Sequence, residues 1–453
     1  MGSVVVGLGK TGASCLRYFA RHGIAATATD SRRTPPGLAE LGPLAREIDL
    51  RLGGFDLSLL DGASQLLLSP GVSTQEPIAR AALARGIEVL GDIELFARGV
   101  RAPVIGITGT NGKSTVTSLV AGMASAAGRS VLAGGNLGVP ALDLLDQPIP
   151  DLYVLELSSF QLETTSSLAL LGAVVLNVTA DHMDRYASVA DYARAKARIF
   201  AHAATIVLNA DDPLVAGMKT ATSGAAEGAG RRVVTFSTQR TDADYCLLRS
   251  GNRTLLGRRG EGVLDLSLLK ITGLHNAANA LAALALGDAA GLPLAAMQRA
   301  LEDFPGLPHR SQWVADIARV RYMDDSKGTN VGATIAAVDG MPGPLVMIAG
   351  GAGKGQDFAP LAEAFRGKVR HVVLIGEDAP AIDLALRGVC RTERAVSMED
   401  AVAAAARAAQ PGDSVLLSPA CASLDMFRDY GHRGEAFSAA VHALAERAPM
   451  ERS

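Results

Sequence analysis

The sequence predicts an α/β protein with three domains, each organised around a largely parallel sheet. The 453 residues exceed what one hydrophobic core usually holds. Apolar residues make up 48% of the chain but aromatic residues only 4%, which favours helices packed closely on parallel sheets. Along the chain, short apolar runs also alternate with glycine-containing turns and helical patterns, as expected for repeated strand-turn-helix units.

Charge and cysteine content narrow the possible functions. The formal net charge is −3, and the sequence contains no long run of residues with the same charge. We therefore expect neither a nucleic-acid nor a membrane partner. The 4 cysteines are widely separated and form no C-x-x-C pair, which argues against a zinc site or a disulfide framework. Because the sequence contains no basic leader and no long apolar segment, we expect a cytoplasmic protein.

Residues 1–94 are predicted to form the first domain, with a Rossmann-like fold. An apolar strand leads into the turn GLGKTG (residues 7–12), and a helix and a second strand ending at Asp30 follow. Such a turn favours nucleotide binding, and taken alone it would suggest a nicotinamide dinucleotide with Asp30 near the ribose. Glycines are also required there for close packing, so a purely structural turn is the alternative.

Residues 95–305 are predicted to form a central parallel-sheet domain like that of P-loop ATPases. The strand VIGIT runs into TGTNGKST (residues 108–115), and a helix follows. Backbone N–H groups of such a loop hold phosphates, Lys113 would contact phosphate oxygens, and Ser114 or Thr115 could bind Mg²⁺. Ile107 stands where the general pattern has glycine, which indicates a variant loop. The alternative is a structural turn with an incidental lysine.

Two further residues of this domain could serve a metal ion. Glu156 ends the strand LYVLEL, and His182 follows the strand AVVLNV, so both could lie beside the phosphate loop and suit Mg²⁺. The alternatives are a carboxylate favoured by a helix dipole and a histidine of the core. Lys196 lies in the helical pattern DYARAKARIF, where a solvated lysine is the simplest interpretation.

Residues 306–453 are predicted to form a second Rossmann-like domain. Its apolar strands end in the turns DDSKGTN, GGAGKGQ, GED and SPACAS. Because ligands of open parallel sheets bind at the carboxyl ends of the strands, these turns should carry the chemistry. From the pattern alone, Lys327 and Lys354 could equally be ordinary surface charges.

Taken together, the motifs resemble the Mur ligases over nearly the whole chain. The shared segments occur in the family's order: GLGKTGASC, RTPPGL, LLLSPGV, GITGTNGKST, GGNLG, LELSSFQLE, NVTADHMDRY, GLHNAANALAAL, GLPHR, DDSKGTN and LLSPACASLDMF. The phosphate loop is common to a superfamily that includes the folylpolyglutamate synthases. DSKGTN and SPACASLD are similar to the D-glutamate-adding branch.

The resemblance implies an ATP-dependent ligase that adds D-glutamate to UDP-N-acetylmuramoyl-L-alanine through an acyl phosphate. This reaction belongs to peptidoglycan precursor synthesis, and so to cell-wall biogenesis, cell shape and cell division. The implied partners are small-molecule substrates, with Mg²⁺ and a second divalent cation as cofactors, and the chain is expected to be a monomer.

The resemblance also assigns residues to each site. The UDP-substrate would be held by Gly12, Asp30, Ser31, Arg32, Ser69, Gly71 and Asn136. ATP would be held by Gly109, Thr110, Asn111, Gly112, Lys113, Ser114, Thr115, Asn279, Arg310 and Asp325. D-Glutamate would be held by Lys327, Thr329, Lys354, Ser423, Leu424 and Tyr430. The residues implied in catalysis are Lys113, His182, Lys196 and Arg310. Metal ligands would be Ser114, Glu156, His182 and Lys196, the last after carbamylation by CO₂.

Two positions depart from the family pattern. Gly328 stands where alanine is common, and Ala352 replaces an acid often found in the GGDGK turn.

Three other functions stay open. Another ligase of the superfamily, such as a folylpolyglutamate synthase, would share the ATP site and differ in its acceptor. A nicotinamide-dependent dehydrogenase would rely on the GLGKTG turn, and a phosphate-loop switch protein would bind nucleotide without ligase chemistry.

Overall fold

The computed structural model describes residues 2–136, 138–223, 231–271 and 273–447. Within these ranges the strands form three sheets, of five, nine and six strands. The chain divides into two compact units. The first unit comprises Met1–Val178, Ala190–Leu268 and Ala278–Asp303, and the second comprises Thr179–Val189, Leu269–Ala277 and Phe304–Ser453. The first unit holds the first two sheets and the second unit holds the third, and these three α/β domains with mainly parallel sheets confirm the predicted fold class.

The first sheet is entirely parallel and lies in the first unit, with strand order β3-β2-β1-β4-β5. Its strands are β1 (Gly2–Val6), β2 (Ala26–Asp30), β3 (Asp49–Leu52), β4 (Ala63–Leu68) and β5 (Glu88–Leu90). Its helices are α1 (Lys10–Arg21), α2 (Gly37–Leu41), α3 (Pro77–Ala84) and α4 (Asp92–Gly99), with short 3₁₀ turns at Gly42–Arg46 and Leu57–Leu60. This strand order matches the first five strands of the doubly wound order 3-2-1-4-5-6, as the βαβ opening predicts.

Close packing of α1 on β1 depends on a glycine. A Cβ atom at Gly12 would lie 2.0 Å from the carbonyl oxygen of Gly7, a distance that no side chain can occupy. Gly12 therefore brings the first turn of α1 against the end of β1. The carboxyl ends of β1, β2 and β4 consequently meet in one crevice.

The second sheet also lies in the first unit and has the order β14-β13-β12-β11-β10-β9-β6-β8-β7. Its parallel part consists of β6 (Val104–Thr108), β7 (Val131–Gly135), β8 (Leu152–Glu156), β9 (Leu170–Val175), β10 (Ala203–Asn209) and β11 (Arg232–Ser237). The associated helices are α5 (Lys113–Ala126), α6 (Ala141–Leu144), α7 (Ser159–Glu163), α8 (Val189–Ala197), α9 (Pro213–Ser223), α10 (Leu274–Ala289) and α11 (Leu294–Asp303). A 3₁₀ turn at Arg198–Phe200 follows α8.

An antiparallel extension completes this sheet. It consists of β12 (Tyr245–Ser250), β13 (Arg253–Arg258) and β14 (Glu261–Asp265), followed by a 3₁₀ turn at Leu266–Leu268. β12 pairs parallel with β11, and the remaining pairs are antiparallel. The sequence pattern did not identify these strands.

The third sheet lies in the second unit, with order β15-β16-β20-β17-β18-β19. Its strands are β15 (Gln312–Ile317), β16 (Val320–Asp324), β17 (Leu345–Gly350), β18 (Val369–Ile375), β19 (Arg391–Arg394) and β20 (Ser414–Leu417). Its helices are α12 (Val331–Gly340), α13 (Ala359–Phe365), α14 (Ala379–Ala385), α15 (Met398–Ala408) and α16 (Tyr430–Arg447). β15 pairs antiparallel with β16, and the other pairs are parallel.

Both faces of the third sheet are buried. Along β17, Leu345, Met347 and Ala349 pack into the core on one face, and Val346 and Ile348 pack into the core on the other. Covered faces explain why its parallel strands are continuous apolar runs. Among the helices described here, none is both long and apolar enough to cross a membrane.

Candidate active site

A cleft of about 730 Å³ opens at the carboxyl ends of the first sheet. Its wall includes most of the residues predicted to hold the UDP-substrate: Asp30, Ser31, Arg32, Ser69, Gly71 and Asn136. Gly12 does not line the cleft but packs beneath it, so a direct substrate contact for Gly12 stays a prediction. A cleft of this volume suits a ligand the size of a nucleotide.

Asp30 organises the floor of this cleft. One carboxylate oxygen accepts a hydrogen bond from the backbone N–H of Leu8 at 2.6 Å, and the other accepts one from the backbone N–H of Arg32 at 2.8 Å. The Arg32 guanidinium also donates to both oxygens. Burial alone would raise the pKa of Asp30, but these hydrogen bonds outweigh it and lower the pKa. Both oxygens are thus engaged inside the protein, which weakens the ribose-binding role of a dehydrogenase.

Gln161 lines the same cleft and was not assigned a role from the sequence. Its amide nitrogen donates to the buried carboxylate of Asp92 at 3.0 Å, and its amide oxygen accepts from the backbone N–H of Ser158 at 3.1 Å. Burial raises the pKa of Asp92 to about 6, although the Gln161 hydrogen bond opposes the shift. These bonds fix the orientation of the Gln161 amide at the cleft wall.

The phosphate loop, residues 108–115, connects β6 to α5. Gly112 precedes the helix with a φ of 84°, and a Cβ atom there would lie 2.4 Å from the side-chain oxygen of Asn279. Glycine is thus required both by the backbone and by the neighbouring side chain. Asn279, predicted to contact the nucleotide, therefore lies directly against the loop.

Asn177, just after the neighbouring strand β9, holds the loop and was also not assigned from the sequence. Its main-chain oxygen accepts from the N–H of Thr110 at 2.9 Å, and its side-chain oxygen accepts from the N–H of Asn111 at 2.8 Å. The Asn177 amide donates back to the carbonyl oxygen of Asn111 at 3.1 Å. The loop conformation is therefore fixed ahead of the first turn of α5, whose amides point toward any bound anion.

Two lysines converge on the carbonyl oxygen of Gly109. The Lys113 ammonium donates to it at 2.9 Å and to the carbonyl oxygen of Thr110 at 2.8 Å. The Lys196 ammonium, whose side chain is only 1% exposed, donates to the same Gly109 oxygen at 2.9 Å. Lys196 also lies 4.2 Å from the ring centre of Tyr192. The simplest interpretation of Lys196 as a solvated helix lysine is therefore wrong, because its side chain is buried beside the phosphate loop.

Oxygen ligands suitable for Mg²⁺ meet at the amino end of α5. The Ser114 hydroxyl donates to Glu156 at 2.7 Å, and the Asn136 amide donates to the other oxygen of Glu156 at 2.6 Å. Both Ser114 and Glu156 are buried. A hydroxyl and a carboxylate beside a phosphate loop match the preference of Mg²⁺ for a few protein oxygens plus phosphate and water. The two residues thus fit the predicted metal, although within the described ranges no three His, Cys, Asp or Glu side chains cluster as a metal site.

His182, the third predicted metal ligand, lies in the second unit. It adopts a φ of 58°, and its Nε2 atom is 3.8 Å from the carboxylate of the preceding Asp181. The Lys354 ammonium forms an ion pair with Asp181 at 3.3 Å, and the Asn330 amide reaches the other oxygen at 3.4 Å. The structure therefore joins the segment around His182 to Lys354, one of the predicted acceptor residues.

Arg310 and Asp325, both predicted to contact the nucleotide, lie in one charged environment. Asp325 is buried and accepts a hydrogen bond from Ser418 at 2.7 Å and one from the N–H of Ser311 at 3.1 Å. Burial raises the pKa of Asp325 to about 7, opposed first by the Ser418 hydrogen bond and then by the charge of Arg310. A carboxyl with a raised pKa in a site of charged groups is typical of functional positions.

Most predicted D-glutamate residues lie in turns at the carboxyl ends of β16 and β20. The Lys327 ammonium lies 3.6 Å from the ring centre of Tyr430, a cation–π contact. The N–H of Thr329 donates to the carbonyl oxygen of Lys327 at 2.8 Å. Ser423 is buried, whereas Leu424 is 73% exposed and available to a ligand.

The two departures from the family pattern have distinct surroundings. A Cβ atom at Gly328 would lie 2.6 Å from the Ser418 hydroxyl and 2.7 Å from the Asp325 carboxylate. Ala352 forms an antiparallel bridge with Ala422, which ties the turn after β17 to the turn after β20. Main-chain bonding therefore maintains the GGAGKG turn without the acid at this position.

Three family models match the chain in succession. The Mur ligase MurD-like N-terminal domain matches residues 2–91, the Mur ligase middle domain matches residues 107–287, and the Mur ligase glutamate ligase domain matches residues 309–421.

Relatives with curated names extend over almost the full chain. The UDP-N-acetylmuramoylalanine–D-glutamate ligase of Nitrosococcus oceani is 53% identical over 445 residues, which cover 98% of this chain and 96% of that protein. The protein of the same name from Methylococcus capsulatus is 50% identical over 443 residues, covering 98% and 95%.

Solved structures share the fold at low sequence identity. The UDP-N-acetylmuramate-alanine ligase of Thermotoga maritima aligns with a TM-score of 0.61 at 19% identity, covering 98% of this chain and 100% of that chain. The folylpolyglutamate synthase of Mycobacterium tuberculosis aligns with a TM-score of 0.58 at 18% identity, covering 79% and 94%.

Proposed function

This chain belongs to the Mur ligase family, and on that premise we propose that it joins D-glutamate to UDP-N-acetylmuramoyl-L-alanine with conversion of ATP to ADP and phosphate. The observation that carries the proposal is 53% identity, over 98% of the chain, to a relative named for this reaction. All three family models also fall in order along the chain. The product would be a precursor of peptidoglycan, which supports cell-wall biogenesis, cell shape and cell division.

The cleft of the first sheet is the proposed site of the UDP-substrate. Lys10 and Arg32 supply positive charge at its wall, which suits a diphosphate, and the fixed Gln161 amide supplies a polar contact of defined orientation. The GLGKTG turn then serves a nucleotide-sugar, and no nicotinamide is required. We assign Asp30, Ser31, Arg32, Ser69, Gly71 and Asn136 to this substrate, with Gly12 supporting the turn.

The phosphate loop is the proposed ATP site. Residues 109–115 would cradle the phosphates through the first-turn amides of α5, and the Lys113 ammonium would exchange its two loop carbonyl contacts for phosphate oxygens. Asn279, Arg310 and Asp325 would complete the nucleotide contacts. ATP dependence is a family property, whereas these individual assignments remain proposals.

Ser114, Glu156, His182 and a carbamylated Lys196 would serve Mg²⁺ and a second divalent cation. When bound, the metal would offset phosphate charge. Carbamylation would replace the positive charge of Lys196 with one negative charge shared by two oxygens, at a buried position beside the phosphate loop. An anionic side chain at that position suits a cation far better than an ammonium group.

The chemistry proposed for the protein is activation followed by amide formation. The substrate carboxylate attacks the γ-phosphorus of ATP, while Lys113 and Arg310 balance the charge on the transferred oxygens. ADP leaves and an acyl phosphate results. The D-glutamate amine then attacks the acyl carbon, and the tetrahedral intermediate expels phosphate to leave the amide.

The acceptor would be bound by Lys327, Thr329, Lys354, Ser423, Leu424 and Tyr430. Lysines with hydroxyl donors suit the two carboxylates of glutamate. We further propose domains at residues 1–94, 95–305 and 306–453, a monomeric chain and a cytoplasmic location. Because the proposed ligand-binding residues come from several domains, we expect substrate orientation and closure of the C-terminal domain to control turnover.

Phosphate release from ATP in the presence of UDP-N-acetylmuramoyl-L-alanine tests the proposal. Release with D-glutamate but not with L-glutamate, L-alanine or no amino acid, together with the amide product, would support it. Release with another acceptor would move the chain to another branch, and no release would contradict ligase activity. Lys113→Ala should abolish release while the variant remains folded, as checked by circular dichroism.

The same assay separates the alternatives. A folylpolyglutamate synthase would require a folate acceptor, a dehydrogenase would bind NADH without requiring ATP, and a switch protein would turn over ATP regardless of amino acid. The MurD-like match at residues 2–91 favours the proposed substrate over a folate.

A further inference from the structure

Arg433, in the first turns of α16, is the largest almost completely buried side chain among the residues that the structure describes, at 1% exposure. Its guanidinium donates three hydrogen bonds. Nε donates to the Ser326 hydroxyl at 2.9 Å, one terminal nitrogen donates to the Ser326 carbonyl oxygen at 2.7 Å, and the other donates to the Cys421 carbonyl oxygen at 3.1 Å. One planar group thus connects two separate turns.

The connected segments are those that carry the proposed acceptor residues. Ser326 precedes Lys327 in the DSKGTN turn (residues 325–330), and Cys421 lies two residues before Ser423 in the SPACAS turn (residues 418–423). The Ser326 hydroxyl also donates to the carbonyl oxygen of Tyr430 at 2.8 Å. Arg433 therefore fixes three segments relative to one another.

Tight packing keeps Arg433 in this position. A Cβ atom at the neighbouring Gly434 would lie 2.2 Å from the ring of His309 and 2.7 Å from the carboxylate of Asp324. The start of α16 is therefore pressed against the strand end that leads into the DSKGTN turn. His309 and Asp324 are themselves joined at 2.6 Å.

The charge of Arg433 is not neutralised by direct contact. Among the residues that the structure describes, it forms no ion pair. The carboxylates that act on it through space include Asp324, Asp325 and Asp425, and each is engaged by another group. Burial lowers the pKa of Arg433 to about 10, so the guanidinium remains protonated near neutral pH. Burying a cation that is bonded only to neutral oxygens costs folding free energy, which argues against a purely structural role.

We propose that Arg433 is a positioning residue for the acceptor site, holding the DSKGTN and SPACAS turns at the separation that an amino acid with two carboxylates requires. The inference rests on the proposed function. Arg433 contacts no substrate in this scheme, and it acts through Ser326, Cys421 and Tyr430. Its loss should therefore affect binding of the amino acid more than binding of ATP or the UDP-substrate.

Arg433→Lys tests this, because lysine retains the charge but cannot reach three acceptors with a planar fork. We expect the KM for D-glutamate to rise about tenfold or more, while the KM values for ATP and the UDP-substrate stay within about twofold. Arg370→Lys is the matched control. Arg370 and Asp413 form an ion pair at the amino ends of strands in the same sheet, whereas the acceptor turns follow the carboxyl ends. The Arg370 variant should therefore leave all three KM values unchanged.

Ser326→Ala provides a second variant if Arg433→Lys does not fold. It removes the hydroxyl that links Arg433 to Tyr430, and we expect a rise in the D-glutamate KM of about threefold. An unchanged D-glutamate KM in the folded Arg433→Lys protein would overturn the inference. If Arg433→Lys does not fold, an unchanged D-glutamate KM in Ser326→Ala would overturn it. An equal rise in all three KM values would do the same. Wild-type protein is assayed first, and wild-type inactivity with D-glutamate would count against the proposed function instead.

Discussion

The Lys196 ammonium and the carbonyl oxygen of Gly109 are joined by a hydrogen bond of 2.9 Å. The bond links helix α8 to the phosphate loop across 87 positions of sequence. Lysine is rarely buried without a special reason, because its charge loses hydration there. Carbamylation leaves one N–H on the side chain, so the bond to Gly109 can persist while two oxygens are added for a cation.

We predict that Lys196 takes up CO₂ and that activity depends on it. Lys196→Arg, which cannot form the carbamate, should reduce kcat by about 100-fold. Wild-type protein prepared without CO₂ should lose activity and regain it with bicarbonate. Isotope-labelled bicarbonate should give a carbamate signal in the NMR spectrum of wild-type protein, and that signal should be absent from Lys196→Arg. Equal activity with and without bicarbonate, and no signal, would exclude the carbamate.

Ser114→Ala should weaken the response to Mg²⁺. The Ser114 hydroxyl bonds Glu156 at 2.7 Å, and its removal takes away one predicted metal ligand. We expect the Mg²⁺ concentration for half-maximal activity to rise about tenfold and no more, because water partly replaces a weak oxygen ligand that is lost.

Thr117→Val is the matched control for Ser114→Ala. Thr117 lies in the same helix and is buried, and its hydroxyl has no hydrogen-bond partner among the described residues. Its variant should keep the wild-type Mg²⁺ dependence. A Ser114 variant with the same Mg²⁺ dependence as wild type would remove this hydroxyl from the metal site.

Asp92→Asn should stabilise the protein above the pKa of Asp92. That pKa is raised from 3.8 to about 6 by burial, so the folded state binds the proton more tightly than the unfolded state. Stability therefore falls as pH rises from about 4 to about 6, and the loss is complete above that range. The asparagine variant avoids this loss, and its unfolding midpoint should rise by about 5 °C near pH 8 and hardly change near pH 4.

Glu94→Gln, in the same helix turn, should behave in the opposite way. Burial would raise the pKa of Glu94, but the backbone N–H groups of Ser166 and Ser167 outweigh it, and the pKa falls to about 2. The stabilisation is therefore present above the ordinary pKa of a glutamate and is lost as pH falls toward about 2. Thermal unfolding near pH 8 should show a lower midpoint for this variant than for wild type. A higher midpoint would contradict the assignment.

The central parallel strands were predictable because both of their faces are covered. β8 and β17 are uninterrupted apolar runs bounded by turns, which short windows of sequence can identify. The antiparallel strands β12 to β14 are partly exposed and contain arginine and glycine, so no simple periodicity marks them. The fold class was thus recoverable, and this extension of the central sheet was not.

Site residues were predictable where one motif contains the chemistry. The phosphate loop identified Lys113 and Ser114 directly from adjacent positions. Asn177 and Gln161 were not identified, because their partners lie 66 and 69 positions away and no local pattern specifies such contacts. Arg433 was missed for the same reason, since its position on α16 resembles that of an ordinary exposed arginine.

Gly328→Ala should disturb the site around Asp325. The added Cβ atom would lie 2.6 Å from Ser418 and 2.7 Å from Asp325, whose side chains are joined by a hydrogen bond of 2.7 Å. The bond must lengthen or break, and we expect the KM for ATP to rise about threefold through Asp325. Ser418→Ala removes the same bond, so the double variant should be no worse than the more affected single variant when ATP kinetics are compared in a double-mutant cycle. Additive effects would instead mean that the glycine acts independently of this pair.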